Sequence, residues 1–212
     1  MQISPAKENI LKRIRQALVN PTPVPFPQSE GNSSVYASQK QENEIEFAEN
    51  FGRIQGRFLY CSNTEEMIQQ LKQLISQQAW TQVFCRESAF LPILQEPLKG
   101  LLTCEDLPEA DVSITGCEAL IARTGSLLMS SAQDSGRTVS VYAPVHICIA
   151  YSSQLVYDIR DGLEMLSEKY KNKIPSFITL ATGPSRTADI EKTLVVGVHG
   201  PKEVYVFLID AQ

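Results

Sequence analysis

Clustered metal ligands are what this 212-residue chain most clearly lacks. Its five cysteines, Cys61, Cys85, Cys104, Cys117 and Cys148, are scattered singly, and there are only two histidines, His146 and His199. Zinc ribbons and iron–sulfur centres need closely spaced thiolates, so neither is encoded. Four of the thiols sit in or beside apolar runs, which predicts buried, reduced cysteines. No apolar run reaches transmembrane length, and the start of the chain has no signal-peptide core, so a cytoplasmic protein is expected. With a net charge of −5 and a pI near 5.2, the chain has no general basic surface for nucleic acid or anionic membrane. Walker and dinucleotide glycine patterns are both missing, as is any internal repeat.

What is present is an α/β rhythm. Residues 1–34 form a first region. Ser4-Pro5 opens an expected helix with Ile10, Leu11, Ile14 and Leu18 on one face, and the helix stops before Asn20-Pro21. PTPVPFPQSEGNSS, with four alternating prolines, then reads as an extended tether. The helix is either an arm that docks on the fold or on another copy, giving a homo-oligomer, or a frayed terminus. Residues 35–212 read as one domain. A helix is expected from about Ser38 to Ile54, then a strand over Arg57–Cys61. Ser62 and Glu65 suggest a capping box for a helix carrying Met67, Leu71 and Leu74. Val83–Cys85 is the next strand, with a short helix around Ser88–Leu94. Further on, Val112–Ile114 reads as a strand end, Cys117–Leu120 as a short helix, Ser126–Met129 as a strand and Gln133–Arg137 as a polar turn. VHICIAY (Val145–Tyr151) is continuously apolar, as a central strand buried on both faces must be. An amphipathic helix marked by Ile159, Leu163, Leu166 and Tyr170 precedes strands at Phe177–Ala181 and Val204–Ile209. Strands alternating with helices predict a mainly parallel sheet covered on its faces.

The chemistry concentrates in ATGPSRTADIEKTLVVGVHGP. Gly183, Ser185, Arg186 and Thr187 follow a strand and precede an expected short helix, Ala188–Leu194. Backbone N–H groups at a helix start, hydroxyls and a guanidinium make an anion site. The same residues could instead cap the helix, with Arg186 pairing with Asp189 or Glu191. Thr124, Gly125 and Ser126 form a second small-residue turn, which precedes its strand and so reads more readily as structural. His199, between two glycines, is the better placed histidine for chemistry, and His146 reads as a satisfied core or crevice residue. Asp189 and Glu191 are candidate acid and base, although two residues apart on a helix they would diverge.

GPSRTADIEKTLVVGVHGP, with ARTGSLLMSS, SGRTVSVYAPVHICIAYSSQLV and VYVFLID, resembles the lactate-utilization branch of the LUD-domain family, strongly over the last half of the chain. The resemblance implies a three-layer α/β/α sandwich on a mainly parallel sheet, similar to the NagB/RpiA/CoA-transferase fold. It also implies a role in oxidising L-lactate to pyruvate beside two iron–sulfur proteins, with no cofactor in this chain. The implied pocket combines Thr124, Gly125 and Ser126 with Gly183, Ser185, Arg186, Thr187, Asp189 and His199, and would take a small carboxylate or phosphate. Many relatives carry an acid where this chain has Arg123, which disfavours a carboxylate nucleophile there. The alternative is a stand-alone enzyme of that superfamily acting on a phosphorylated or CoA-linked metabolite. Whether the chain is catalytic is left open.

Overall fold

A computed structural model describes residues 5–19, 39, 41–171, 173–187 and 195–210. The chain divides into two compact units, 1–38 and 39–212. In the first, α1 (Pro5–Val19) is a helix on which Ile10 and Ile14 are exposed. Ser4, the expected cap, and the proline tether lie outside the described residues.

The second unit opens with α2 (Asn43–Arg53), β1 (Arg57–Cys61), α3 (Thr64–Gln78) and β2 (Val83–Cys85). Then come α4 (Leu91–Leu94), β3 (Leu102–Thr103), β4 (Val112–Thr115), β5 (Ala119–Ile121) and β6 (Ser126–Ser130). The chain continues through α5 (Val139–Tyr142), β7 (Val145–Tyr151), β8 (Leu155–Val156) and α6 (Ile159–Tyr170). It closes with β9 (Ile178–Ala181), β10 (Arg186–Thr187), β11 (Val195–Val196) and β12 (Glu203–Ile209).

Six strands form one parallel sheet in the order β1-β12-β7-β4-β2-β3. VHICIAY is its centre: β7 pairs with β12 from Val145↔Glu203 to Tyr151↔Ile209, and with β4 on its other side. One face of the sheet buries Ile147, Ile149, Phe207 and Ile209 with Met67, Leu71 and Ile75 of α3 and Leu94 of α4. The other face buries Cys148, Ala150, Val206 and Leu208 with Phe47 and Phe51 of α2 and with Leu120, Leu127 and Met129. Those last three belong to a second, mixed sheet, β8-β5-β6-β9, and α6 packs Leu166 against its far side at Ala119, Ile121 and Leu128. The fold is the expected α/β architecture on a mainly parallel sheet, with much of one covering layer itself made of strands.

Local expectations were corrected in three places. Cys117–Leu120 is not helical: Leu120 and Ala122 face the parallel sheet while Ala119 and Ile121 face α6, a two-residue alternation that only a strand can satisfy. The cap of α3 is displaced by one residue. Asn63 accepts from the Glu66 N–H at 2.9 Å, and the Glu66 carboxylate reaches back to the N–H and hydroxyl of Ser62 at 2.8 and 2.6 Å. On α6, Leu163 is exposed, and Gly162 takes its place at the sheet. A Cβ on Gly162 would stand 2.8 Å from Ile121 Cδ1 and 3.0 Å from Leu128 Cδ2, so the helix lies closer than any side chain would allow.

No helix among the described residues is long and apolar enough to cross a membrane. All five thiols are free; Cys104 is exposed and the other four are buried. Burial pushes Cys61 and Cys85 up to about 11, which keeps them as inert thiols at neutral pH.

Candidate functional site

The GPSR and GVHGP loops meet at the amino ends of the parallel strands. The Ser185 N–H donates to the Pro201 carbonyl at 2.9 Å, and the Gly197 N–H donates to the Ser185 carbonyl at 2.9 Å. Gly183 and Gly197 both have φ near +78°. A Cβ at Gly183 would stand 2.8 Å from the Ile54 carbonyl oxygen, so glycine is required both by conformation and by space. The loops wall a cavity of about 230 Å³, lined by Gly183, Ser185, His199, Gly200 and Pro201 from the motifs, His146 and Val204 from the strand starts, and Arg137, Ser140 and Phe177.

Only part of the sequence-predicted site gathers there. Gly183, Ser185 and His199 line the cavity; Arg186 and Thr187 are not among its lining residues. They form β10, paired antiparallel with β11, and Arg186 is exposed, donating from Nη2 to the Ile54 carbonyl at 2.8 Å. Asp189, Glu191 and the helix expected over Ala188–Leu194 lie outside the described residues.

Thr124, Gly125 and Ser126 sit elsewhere, beneath α2. Asn50 Nδ2 donates to the carbonyls of Ala122 and Arg123 at 2.9 and 3.1 Å. A Cβ on Gly125, whose φ is +62°, would meet the Phe51 nitrogen at 2.6 Å. Ser126 Oγ donates to Thr124 Oγ1 at 2.8 Å and lies 2.8 Å from Thr182 Oγ1, one residue before Gly183. This turn supports the strand that carries the motif. The extra positive charge of Arg123 is spent on Asp158, the N-cap of α6, at 2.6 Å, and that contact holds the Asp158 carboxyl below its usual range.

Two residues of the cavity matter more than the sequence suggested. Arg137, from the polar turn before α5, stacks over Phe177 at 5.6 Å and donates from Nη2 to Ser176 Oγ at 2.7 Å. His146 is 1% exposed, and its Nε2 lies 2.8 Å from Thr115 Oγ1. Desolvation pushes this imidazole down to about 4, so it is neutral at physiological pH. Its position inside an apolar strand marked it as a core or crevice residue, and nothing local reveals that the strand's start opens on a cavity.

A second crevice, of about 360 Å³, opens at the opposite end of the sheet. It lies where strand order reverses: β2 leads outward to β3, whereas the neighbouring β4 leads to β7 and β12 on the other side. Ligands in open α/β sheets favour such switch points at the carboxyl ends of strands. Glu87 follows β2, Gly116–Glu118 follow β4, and Gln133, Asp134, Tyr151, Gln154, Lys169 and Tyr170 complete the lining. The buried Glu118 carboxylate accepts from Ser130 Oγ at 2.5 Å, Tyr170 Oη at 2.8 Å and Lys169 Nζ at 2.8 Å. Burial alone would raise this carboxyl, but the bonds from Lys169, Ser130 and Tyr170 outweigh it and hold it ionised below the usual range. None of these residues was expected at a site. Glu118 sits three residues past the end of β4, a placement that strand direction would have revealed.

Among the described residues, no group of three or more His, Cys, Asp or Glu side chains is arranged to hold a metal ion.

The LUD domain profile matches residues 87–209, from the loop after β2 to the end of β12, and so spans both cavities. A lactate utilization protein C of Bacillus subtilis is 36% identical over 115 residues, covering 53% of this chain and 48% of that protein. A lactate utilization protein C of Deinococcus radiodurans is 34% identical over 109 residues, covering 51% and 50%. The chain spans about half the length of the curated relatives it matches. The crystal structure of a DUF162 family protein from Deinococcus radiodurans shares the fold, with a TM-score of 0.55 at 21% identity over 79% of this chain and 96% of that one. The profile match extends over well more than half of the sequence and takes in the motifs that build the amino-end cavity: the chain belongs to the LUD-domain family.

Proposed function

We propose that this chain is a cytoplasmic component of lactate utilization that binds a small anionic ligand in the amino-end cavity and leaves electron transfer to iron–sulfur partners. The observation that carries the reading is the match to proteins named lactate utilization protein C, beside a LUD-domain profile match that spans the residues lining the cavity. The chemistry of the lining supports it. Arg137 supplies a delocalised cation suited to a carboxylate, and Ser140 and Ser185 supply hydroxyl donors. At about 230 Å³ the space suits a small metabolite. The N-terminal region, residues 1–34, would serve as an arm for assembly. Deleting the gene in its source organism is expected to abolish growth on L-lactate as sole carbon source while growth on glucose continues. Affinity purification from lactate-grown cells should recover iron–sulfur proteins, and unaltered growth on lactate would sink the proposal.

The carboxyl-end crevice favours a second reading, a stand-alone enzyme of the same superfamily acting on a phosphorylated or CoA-linked metabolite. Turnover by the purified chain alone, lost in Glu118→Gln, would support it. Against it stands the saturation of Glu118 by three donors, which leaves its carboxylate a poor nucleophile.

A further inference from the structure

The carboxyl-end crevice holds two carboxylates that no cation answers. Two loops, one after β2 and one after β6, clasp each other there. The Ser135 N–H donates to Glu87 Oε1 at 3.2 Å, and the N–H and hydroxyl of Ser88 donate to Asp134 Oδ2 at 2.9 and 2.6 Å. Residues adjacent in sequence make the clasp on each side, so Glu87 and Asp134 line the crevice as neighbours. Glu87 is 8% exposed, yet its carboxylate has that single N–H, and among the described residues neither it nor Asp134 forms an ion pair. A carboxylate so buried, with one neutral donor, costs free energy that an incoming cation would offset. The bonds from Ser88 hold the Asp134 carboxyl below its usual range, so it is ionised at neutral pH, and they use only one of its two oxygens. Beside them, Ser135 is 3% exposed and its Oγ is buried with no hydrogen-bond partner among the described residues. An unpaired buried hydroxyl calls for a bound group at the same place. The one ammonium of the lining, on Lys169, is bonded to Glu118, so three carboxylates stand against one cation.

We infer that the carboxyl-end crevice binds a small organic ammonium whose N–H groups are donated to the carboxylates of Glu87 and Asp134. The carboxylates are not grouped as metal ligands are: among the described residues no set of three or more His, Cys, Asp or Glu side chains is arranged to hold an ion. The lining offers acceptor oxygens beside the aromatic surface of Phe90, Tyr151 and Tyr170, and that combination suits an alkylammonium. At about 360 Å³ the space fits a small molecule. The inference is independent of the anion site at the amino end. It also weighs against a phosphorylated or CoA-linked metabolite in this crevice, because such a ligand would bring charge of the same sign to Glu87 and Asp134.

The test titrates the full chain by calorimetry with n-butylammonium and, separately, with tetramethylammonium, which carries the same charge and no N–H. Butylammonium is expected to bind at millimolar concentration, about tenfold tighter than tetramethylammonium. Glu87→Gln keeps an acceptor for the Ser135 N–H while removing the charge, and should weaken butylammonium binding about tenfold. Asp134→Asn keeps an acceptor for Ser88 and should act in the same direction. Should Glu87→Gln fail to fold, Asp134→Asn and the ratio of the two cations on the wild-type chain decide. Equal affinity for the two cations would overturn the hydrogen-bonded ammonium. Undiminished binding in both variants would overturn the site, and failure of butylammonium to bind at millimolar concentration would overturn the inference outright.

Discussion

The two ends of the parallel sheet hold buried polar groups in different surroundings. At the carboxyl ends, Glu118 accepts from Lys169, Ser130 and Tyr170, Asp134 accepts from the N–H and hydroxyl of Ser88, and Gln154 donates to the Cys117 carbonyl. At the amino ends, the neutral His146, held by Thr115, lines a cavity with Arg137 and the glycine loops. Topology by itself points to the carboxyl ends, where the switch point lies. The glycine motifs line the cavity at the other end. A saturated buried network such as that of Glu118 contributes stability and order. The difference teaches that the position of a crevice and the completeness of the hydrogen bonding around it are separate properties.

The comparison breaks most readily at Glu118. Glu118→Ala strands Ser130, Tyr170 and Lys169 and should cost roughly 3–4 kcal/mol, at the low end for a broken buried pair because Lys169 can rehydrate. Urea denaturation would measure this, and carboxylate binding at the amino end should persist. Unchanged stability with lost turnover would move the site to the carboxyl end.

Acid titration sharpens the contrast from the other side. The folded His146 titrates at about 4 against an ordinary 6.5. Below pH 6.5 the unfolded chain gains a proton that the folded chain refuses, so stability falls as pH drops from 6.5 to 4, by on the order of 3 kcal/mol. His146→Gln should remove that slope. Glu118 and Asp158, whose pKa values are depressed, contribute stability that is present above their ordinary range and lost only at more acidic pH. Arg137→Ala should weaken carboxylate binding about tenfold while moving unfolding free energy by no more than about 0.5 kcal/mol. The smallest effect belongs to Arg123→Ala, which releases the Asp158 pair for about 1 kcal/mol or less and should leave binding unchanged. A large binding loss in that variant would return the Thr124–Ser126 turn to the site.

What the sequence by itself determined is the alternation of strands and helices, the central place of VHICIAY and the presence of two glycine motifs. Each is coded locally, in runs, periods and turn residues, and the family match spans the same residues. Of the candidate residues, Gly183, Ser185 and His199 line the amino-end cavity, while Arg186 and Thr124–Ser126 are not among its lining. Only the tertiary structure decided the rest. Arg186 ends on Ile54, 132 residues earlier in the chain, and Asn50 holds the carbonyl of Ala122, 72 residues later. Thr115 on β4 holds the imidazole of His146 on β7, 31 residues away. Local patterning specifies which residues are buried and in what period, but strand order and direction choose the distant partners. Whether a buried polar group is satisfied or left open depends on those partners alone.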